Sequence, residues 1–243
     1  MDYGIYAAFL GMRARQRTLE VQANNIANAS TDGFKAERLI YSMVEAEKKG
    51  DASSQDLVSG VTTTSSTDFS QGSTRPTGRD LDISINGDAF LQIQTSGGAR
   101  YTRAGNLTLD AAGQLVTQNG DLVVGQNGPI TVPRDTKLSI GEDGSLITDG
   151  QAFEKLKLVR FENPVSALQK EGSSLFVATG SEEPQDAADS KIIQGSLESS
   201  NVNSVSEMVA MINNNREFES LQRSVSLLMN DLGRKISSEI GRI

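Results

Sequence analysis

The sequence predicts an α+β protein in which an N-terminal and a C-terminal helix form a coiled-coil-like domain and an antiparallel all-β domain is inserted between them. Three observations carry this. Apolar residues recur at heptad spacing at both ends of the chain, short alternating runs bounded by Asn-Gly and Asp-Gly turns fill the middle, and polar, β-prone tracts separate the two patterns. The composition shifts divide the chain into an N-terminal helix of the helical assembly domain over 1–35, an extended connector with a polar tract over 36–79, an antiparallel β domain over 80–195 and the C-terminal helix of the assembly domain over 196–243.

In the N-terminal segment Ile5, Met12, Leu19 and Ile26 are seven apart, Phe9 and Ala23 widen the stripe, and Arg13, Arg17 and Glu20 lie off it. Asp32-Gly33 tolerates the turn geometry that ends a helix, so the helix is expected to stop near Ala29 or Ser30.

The connector contains Lys48-Lys49-Gly50-Asp51-Ala52-Ser53-Ser54 and Val61-Thr62-Thr63-Thr64-Ser65-Ser66-Thr67, polar and without helical period. From Asp80 to Phe161 the runs shorten and alternate, as in Leu81-Ile83-Ile85, Phe90-Gln92-Gln94, Leu107-Leu109, Leu115-Val116 and Leu156-Leu158. Asn86-Gly87, Asn119-Gly120, Asn127-Gly128, Asp143-Gly144 and Asp149-Gly150 supply the positive-φ turns that tight hairpins need. Many short strands with such turns imply a sandwich or open barrel. The tract Gly180–Asp186 reads as a surface loop.

The C-terminal helix is expected from Ser204, with Glu207 three residues on as a capping box. Met211, Phe218, Val225 and Leu232 repeat at heptad spacing, Leu221 and Leu228 lie between them, and Ile236 and Ile240 continue at a looser period. The registers are long and lie at the extreme termini, where most domains fray, so the two stripes are expected to pack between chains.

Composition closes several functional classes. The chain has no His, no Cys and no Trp, which removes histidine general bases, thiol nucleophiles, disulfides and zinc sites built on His or Cys. A net charge of −8, without a Lys/Arg run interleaved with aromatics, argues against nucleic acid and anionic membrane as partners. No apolar run approaches the roughly 20 residues needed to span a bilayer, and Ala7-Ala8-Phe9-Leu10 is too short for a signal-peptide core. A chain that works outside the cytoplasm would need a route that reads no cleavable signal.

Three constellations bear on chemistry. Asp80, Asp82, Ser84, Asn86 and Asp88 alternate like a calcium loop, but Ile85 and Leu91 stand where an EF-hand needs its turn Gly and bidentate Glu. Asp110, Glu142, Asp143 and Asp149 lie mostly beside turn glycines, and 5% aromatics is thin for a sugar-binding cleft. Asn24, Asn25, Asn28, Asn201 and Asn203 lie at the inner ends of the terminal helices, where capping and turns account for about half and bonds between chains for the rest. No catalytic residue, metal site or cofactor is expected.

Asn25-Ile26-Ala27-Asn28-Ala29-Ser30-Thr31-Asp32-Gly33-Phe34-Lys35 resembles the N-terminal signature of the bacterial flagellar rod and hook family. Leu197-Glu198-Ser199-Ser200-Asn201-Val202-Asn203 with Ser204-Val205-Ser206-Glu207-Met208-Val209 resembles its C-terminal motif, and Leu81–Leu91, Tyr101–Asn106 and Gly113–Thr117 resemble its middle. The motif residues carried over are Asn25, Ala27, Asn28, Thr31, Gly33, Phe34, Leu197, Asn201, Val202, Asn203, Met208 and Val209. The opening Met1–Tyr6 and Gly128–Pro133 look most like the proximal-rod branch, with the distal-rod branch as the nearest alternative.

The resemblance implies a non-enzymatic axial subunit of the basal-body rod in the periplasm. Its helices would form an inner coiled-coil tube with copies of itself and other rod proteins, and its export would run through the flagellar type III apparatus. Ile5, Phe9, Met12, Leu19 and Ile26 against Met211, Phe218, Leu221, Val225, Leu228 and Leu232 are the expected inter-subunit packing residues. A soluble carbohydrate-binding or adhesive β protein with helical ends and a hydrolase using carboxylates are the alternatives from different classes.

Overall fold

The computed structural model describes residues 2–44, 60–133, 136, 138–172, 174–180, 182–187 and 189–240, with backbone alone for 2–7, 43–44, 60–62, 231–233 and 235–240. The chain is a mixture of helix and sheet, with a long helix at each end and antiparallel strands between them. It divides into two compact units. One comprises Met1–Ile26, Glu37–Ser66 and Asn203–Ile243, and the other Ala27–Ala36 and Thr67–Val202.

In the helical unit, α1 spans Asp2–Ala27 and ends a little before the expected stop, while Ser204–Ile240 forms a second long helix. At 1.5 Å per residue these are about 39 Å and about 55 Å long. No described helix is long and apolar enough to cross a membrane. Arg15 Nη2 pairs with Glu217 Oε2 at 2.7 Å, and Arg15 Nη1 donates to Asn214 Oδ1 at 3.3 Å. Asn214 in turn donates to the Arg15 carbonyl at 3.2 Å and to Gln22 Oε1 at 3.4 Å.

The segment expected as an extended connector contains two paired strands, Glu37–Val44 with Gly60–Thr67. Val61–Thr67 therefore forms strand, as β-branched threonines favour, and the Lys48–Ser54 tract lies outside the described residues. The Asn25 amide brackets the backbone of Glu37, donating to its carbonyl at 2.9 Å and accepting its N–H at 3.0 Å. The Thr18 and Tyr41 hydroxyls also bond to each other.

In the β unit, the main sheet runs in the order Leu168–Glu171, Leu175–Ala178, Gly98–Thr102, Phe90–Thr95, Leu122–Gly125, Leu115–Val116, Thr108–Leu109. Leu158–Arg160 joins it beside Phe90–Thr95, with Phe90 opposite Val159. A smaller sheet folds Leu138–Ile140, Ser145–Thr148 and Gln151–Lys155 into a meander, and Lys191–Gln194 returns to pair with Ile83–Asn86. Every strand pairing of this unit given by register is antiparallel.

The turn pairs perform as their chemistry requires: Gly87, Gly120, Gly128, Gly144 and Gly150 all have positive φ, as does Asp149. Alternation along Phe90–Thr95 splits the strand between two cores. Leu91 and Ile93 point into an aliphatic cluster with Ile83, Leu107, Leu115 and Leu146, while Phe90 faces an aromatic cluster. There Phe90 packs edge-on to Phe176 at 5.8 Å and Tyr101 edge-on to Phe161 at 5.1 Å. A one-turn helix, α2, over Pro164–Ala167 starts with Pro in its first turn. The Ser204–Ile240 helix, third in chain order, is α3 below.

Candidate functional site

The two terminal motifs converge in the β unit. After α1, the Asn28 carbonyl and Oδ1 accept from the Thr31 N–H at 3.1 Å and the Thr31 hydroxyl at 3.3 Å, closing a turn that the Phe34 N–H continues at 3.3 Å to the Thr31 carbonyl. Gly33 then takes φ of 70°, and a Cβ there would meet the backbone N of Ala104 at 2.3 Å. Only glycine allows this approach. It brings the Gly33 N–H within 2.8 Å of the Glu198 carbonyl, to which it donates. Phe34 is fully buried beneath the Lys170 ammonium, 3.5 Å from the ring centroid.

Lys35, next in the motif, has no exposed side chain. Its Nζ donates to Glu198 Oε1 at 2.7 Å and to the Ser70 carbonyl at 2.7 Å. Glu198 is equally buried and accepts the Gly72 N–H on the same oxygen at 2.9 Å. Arg103 approaches the other carboxylate oxygen at 3.5 Å, stacks over Phe90 at 5.3 Å and donates to the carbonyls of Ile85 and Gly87 at 3.2 and 2.6 Å. One carboxylate thus serves two buried cations from distant parts of the chain. Burial pulls the Lys35 ammonium and the Arg103 guanidinium below their ordinary pKa, while the charge of Glu198 pulls both back up.

Asn201 is a second clamp. Its Oδ1 accepts the Ala36 N–H at 2.8 Å, and its Nδ2 donates to the carbonyls of Asp68 and Ser70 at 2.8 and 3.1 Å. Leu197 is buried on the strand Ser196–Glu198, which pairs with Thr74–Pro76. The Val202 N–H donates to Ser200 Oγ at 3.2 Å. Asn203 caps α3: its Oδ1 accepts the Ser206 N–H at 3.0 Å and its carbonyl the Glu207 N–H at 3.0 Å. The cap is therefore Asn203 rather than Ser204, one residue before the expected capping box. Asn25, Asn28, Asn201 and Asn203 all have hydrogen-bond partners within their own chain.

The packing residues fall in three groups. Met12, Leu19, Ile26, Met211, Phe218, Leu221 and Val225 are half-buried. Phe9 and Leu228 are 56% and 50% exposed, and the side chains of Ile5 and Leu232 lie outside the described residues. Asn214, buried among them, occupies the heptad position between Met211 and Phe218. A second apolar face lies on the opposite side of α3, where Val205, Met208, Val209 and Ile212 are 68%, 46%, 54% and 54% exposed. The motif residues Met208 and Val209 belong to this outward face, while Ala27 closes α1.

The other candidates have structural work. Asp82 accepts the Thr77 hydroxyl at 2.7 Å and lies 3.5 Å from Arg79, and Ser84 and Asn86 lie within a strand. Asp110 Oδ1 accepts the N–H groups of Ala112 and Gln114 in a turn, Asp143 accepts that of Ser145, and Glu142 pairs with Lys191 at 3.3 Å.

Residues 5–35 match the family described as "Flagella basal body rod protein", residues 84–148 the "Flagellar hook protein FlgE/F/G D1 domain" and residues 193–227 the "Flagellar basal body rod FlgEFG protein C-terminal". The junction draws Lys35 from the first match and Glu198 from the third, with Arg103 from the second. The flagellar basal-body rod protein FlgF of Caulobacter vibrioides is 36% identical, covering 100% of both chains. FlgF of Salmonella typhimurium is 34% identical over 96% of this chain and 97% of its own, and the rod protein FlgG of Bacillus subtilis 34% over 91% and 93%. These relatives are rod proteins rather than enzymes. The chain belongs to the flagellar basal-body rod protein family, and is FlgF-like within it.

Proposed function

We propose that this rod subunit occupies the proximal rod in the periplasm and assembles with copies of itself and other rod proteins through α1 and α3, which form coiled-coil contacts between neighbouring chains. The observation that carries the reading is that α3 is apolar on two sides. Its Met211–Val225 stripe is half-buried in the isolated chain, while Val205, Met208, Val209 and Ile212, and further on Leu227, Leu228 and Met229, stay open to solvent. Exposed apolar area of this extent on one helix marks an interaction surface. Under this reading Ile5, Phe9, Met12, Leu19 and Ile26 meet Met211, Phe218, Leu221, Val225, Leu228 and Leu232 across subunits as well as within them, and a head-to-tail contact that does not close gives a helical array.

Delivery through the flagellar type III apparatus belongs to the same proposal, supported by a chain without cysteines that can be threaded with no disulfide to form or break. Replacing Leu228 by Asp tests the assembly surface. The variant is expected to keep the β unit folded by circular dichroism and to be absent from purified basal bodies; normal incorporation would count decisively against the reading.

A further inference from the structure

The Lys35–Glu198–Arg103 cluster is poorly explained as a source of stability alone. Burying three charges costs several kcal/mol per ion before pairing offsets it. The geometry here is incomplete, since Arg103 Nε and Glu198 Oε2 have no hydrogen-bond partner. The cluster does tie three distant stretches of chain to one carboxylate, and Lys35 precedes Glu198 by 163 positions.

We propose that Glu198 is the closing element of a folding lock: the N-terminal segment 27–36 docks on the β unit only once the strand Ser196–Glu198 is in place, so that both chain ends are fixed in one step. Three backbone donors support the dependence. The Gly33 N–H is satisfied by the Glu198 carbonyl, the Gly72 N–H by its carboxylate, and the Ala36 N–H by Asn201 three residues later. Docking the segment earlier would bury the Lys35 ammonium beside Arg103 without the carboxylate that touches both, and would strand those N–H groups.

The apolar cores have no such dependence. The aliphatic cluster runs from Ile83 to Ile192 and the aromatic one from Phe90 to Phe176, and neither includes a residue of the Ser196–Glu198 strand. A chain that emerges amino end first, from a ribosome or through a channel, would therefore carry a formed β core with an undocked N-terminal segment until residue 198 arrives. Gly72 adds a steric element, because a Cβ at that position would meet the Ser199 carbonyl oxygen at 1.9 Å, so its backbone is fitted to the incoming strand.

Pulse-labelling hydrogen exchange during refolding of the full-length protein tests the order. The Asp68 N–H bonds to the Ala36 carbonyl and reports docking of the N-terminal segment, the Ser199 N–H bonds to the Ser73 carbonyl and reports arrival of the C-terminal strand, and the Gln92 N–H reports the core sheet. Asp68 and Ser199 are expected to gain protection with the same rate constant; protection of Asp68 about tenfold ahead of Ser199 would overturn the lock.

At equilibrium, Glu198→Gln is expected to leave Gln92 protected, to lower Asp68 protection at least tenfold and to open Lys35 to acetylation, with exposed Lys191 as the reference. Unchanged Asp68 protection would again overturn it. Should Glu198→Gln lose the core as well, Lys35→Met added to it decides the matter. Recovery of Asp68 protection shows that the Lys35 charge imposed the need for Glu198, and no recovery refutes it.

Discussion

The Lys35 ammonium and the Glu198 carboxylate meet at 2.7 Å with neither side chain reaching solvent. Each belongs to a different terminal motif, so the two most recognisable stretches of sequence are, in the folded chain, one structure. Around the pair, Gly33 hands its N–H to the Glu198 carbonyl and Ala36 hands its own to Asn201. The segments 33–36 and 198–201 are thereby held side by side within the β unit.

Asn201 should be the most sensitive neutral residue of this junction. Its amide makes one acceptor and two donor bonds to backbone at 2.8 to 3.1 Å. Asn201→Ala strands those partners and is expected to cost roughly 2–3 kcal/mol in urea unfolding followed by near-ultraviolet signal. Asn201→Asp keeps the acceptor for Ala36 but turns a donor toward two carbonyls into an acceptor. It should cost more than the alanine; a milder effect would show that the donor bonds contribute little.

Gly33→Ala and Gly120→Ala separate backbone conformation from close approach. Both glycines have positive φ, 70° and 87°, but a methyl added at Gly120 would meet nothing within 4 Å, while one at Gly33 would meet Ala104 and Arg103 backbone at 2.3 and 2.5 Å. The turn substitution should cost about 1–2 kcal/mol, the strain of a left-handed conformation. At Gly33 the sheet itself must move, and a loss at least twice as large is expected in thermal unfolding. Equal losses would mean that the approach to Ala104 relaxes freely.

Local chemistry made the architecture legible. Heptad spacing announced both long helices, and Asn86-Gly87, Asn119-Gly120 and Asp149-Gly150 marked turns because each supplies a glycine that takes positive φ, joined at the last pair by Asp149. Asn203 and Ser204 are both capable caps, so the helix start was legible only to within a residue. The Thr-rich tract revealed β propensity without revealing its partner, Glu37–Val44. The buried cluster was hidden for a different reason. Lys35, Arg103 and Glu198 each looked like a charged residue within a motif, and no spacing rule connects positions 163 apart. Asn214 was available to sequence reasoning, since it falls in the stripe that Met211 and Phe218 define, but a search for apolar residues passes over it.

Tyr101 predicts the alkaline limb of stability. It is buried at the edge of Phe161, and burial raises its phenol pKa above the ordinary value of 10.0. The unfolded chain releases this proton near pH 10 while the folded chain still holds it. Over the interval from there to the raised value the folded state binds more protons, so stability falls as pH rises. The contribution is fully present below pH 10 and is lost through the window above it. Tyr101→Phe should flatten that part of the curve; an unchanged difference between the two proteins from about pH 9 to 11 would show that the phenol ionises equally well in both states.

Val209 and Val225 lie on opposite sides of α3 and should separate what the helix does within a chain from what it does between chains. Val225 is half-buried on the stripe that includes Asn214, whereas Val209 is 54% exposed beside Met208 and Ile212. Val225→Asp puts a charge against partly desolvated apolar surface and should lower the helical signal of the free subunit. Val209→Asp adds a charge where water already reaches, so helicity and thermal stability of the free subunit should change by less than about 0.5 kcal/mol. Its consequence is expected on assembly, where the same carboxylate would have to be buried in a neighbour's surface. Motility in soft agar and the presence of the subunit in purified basal bodies report that step. A motile Val209→Asp strain with a normal rod would remove the outward face from the assembly surface and leave the Met211–Val225 stripe to carry all of it.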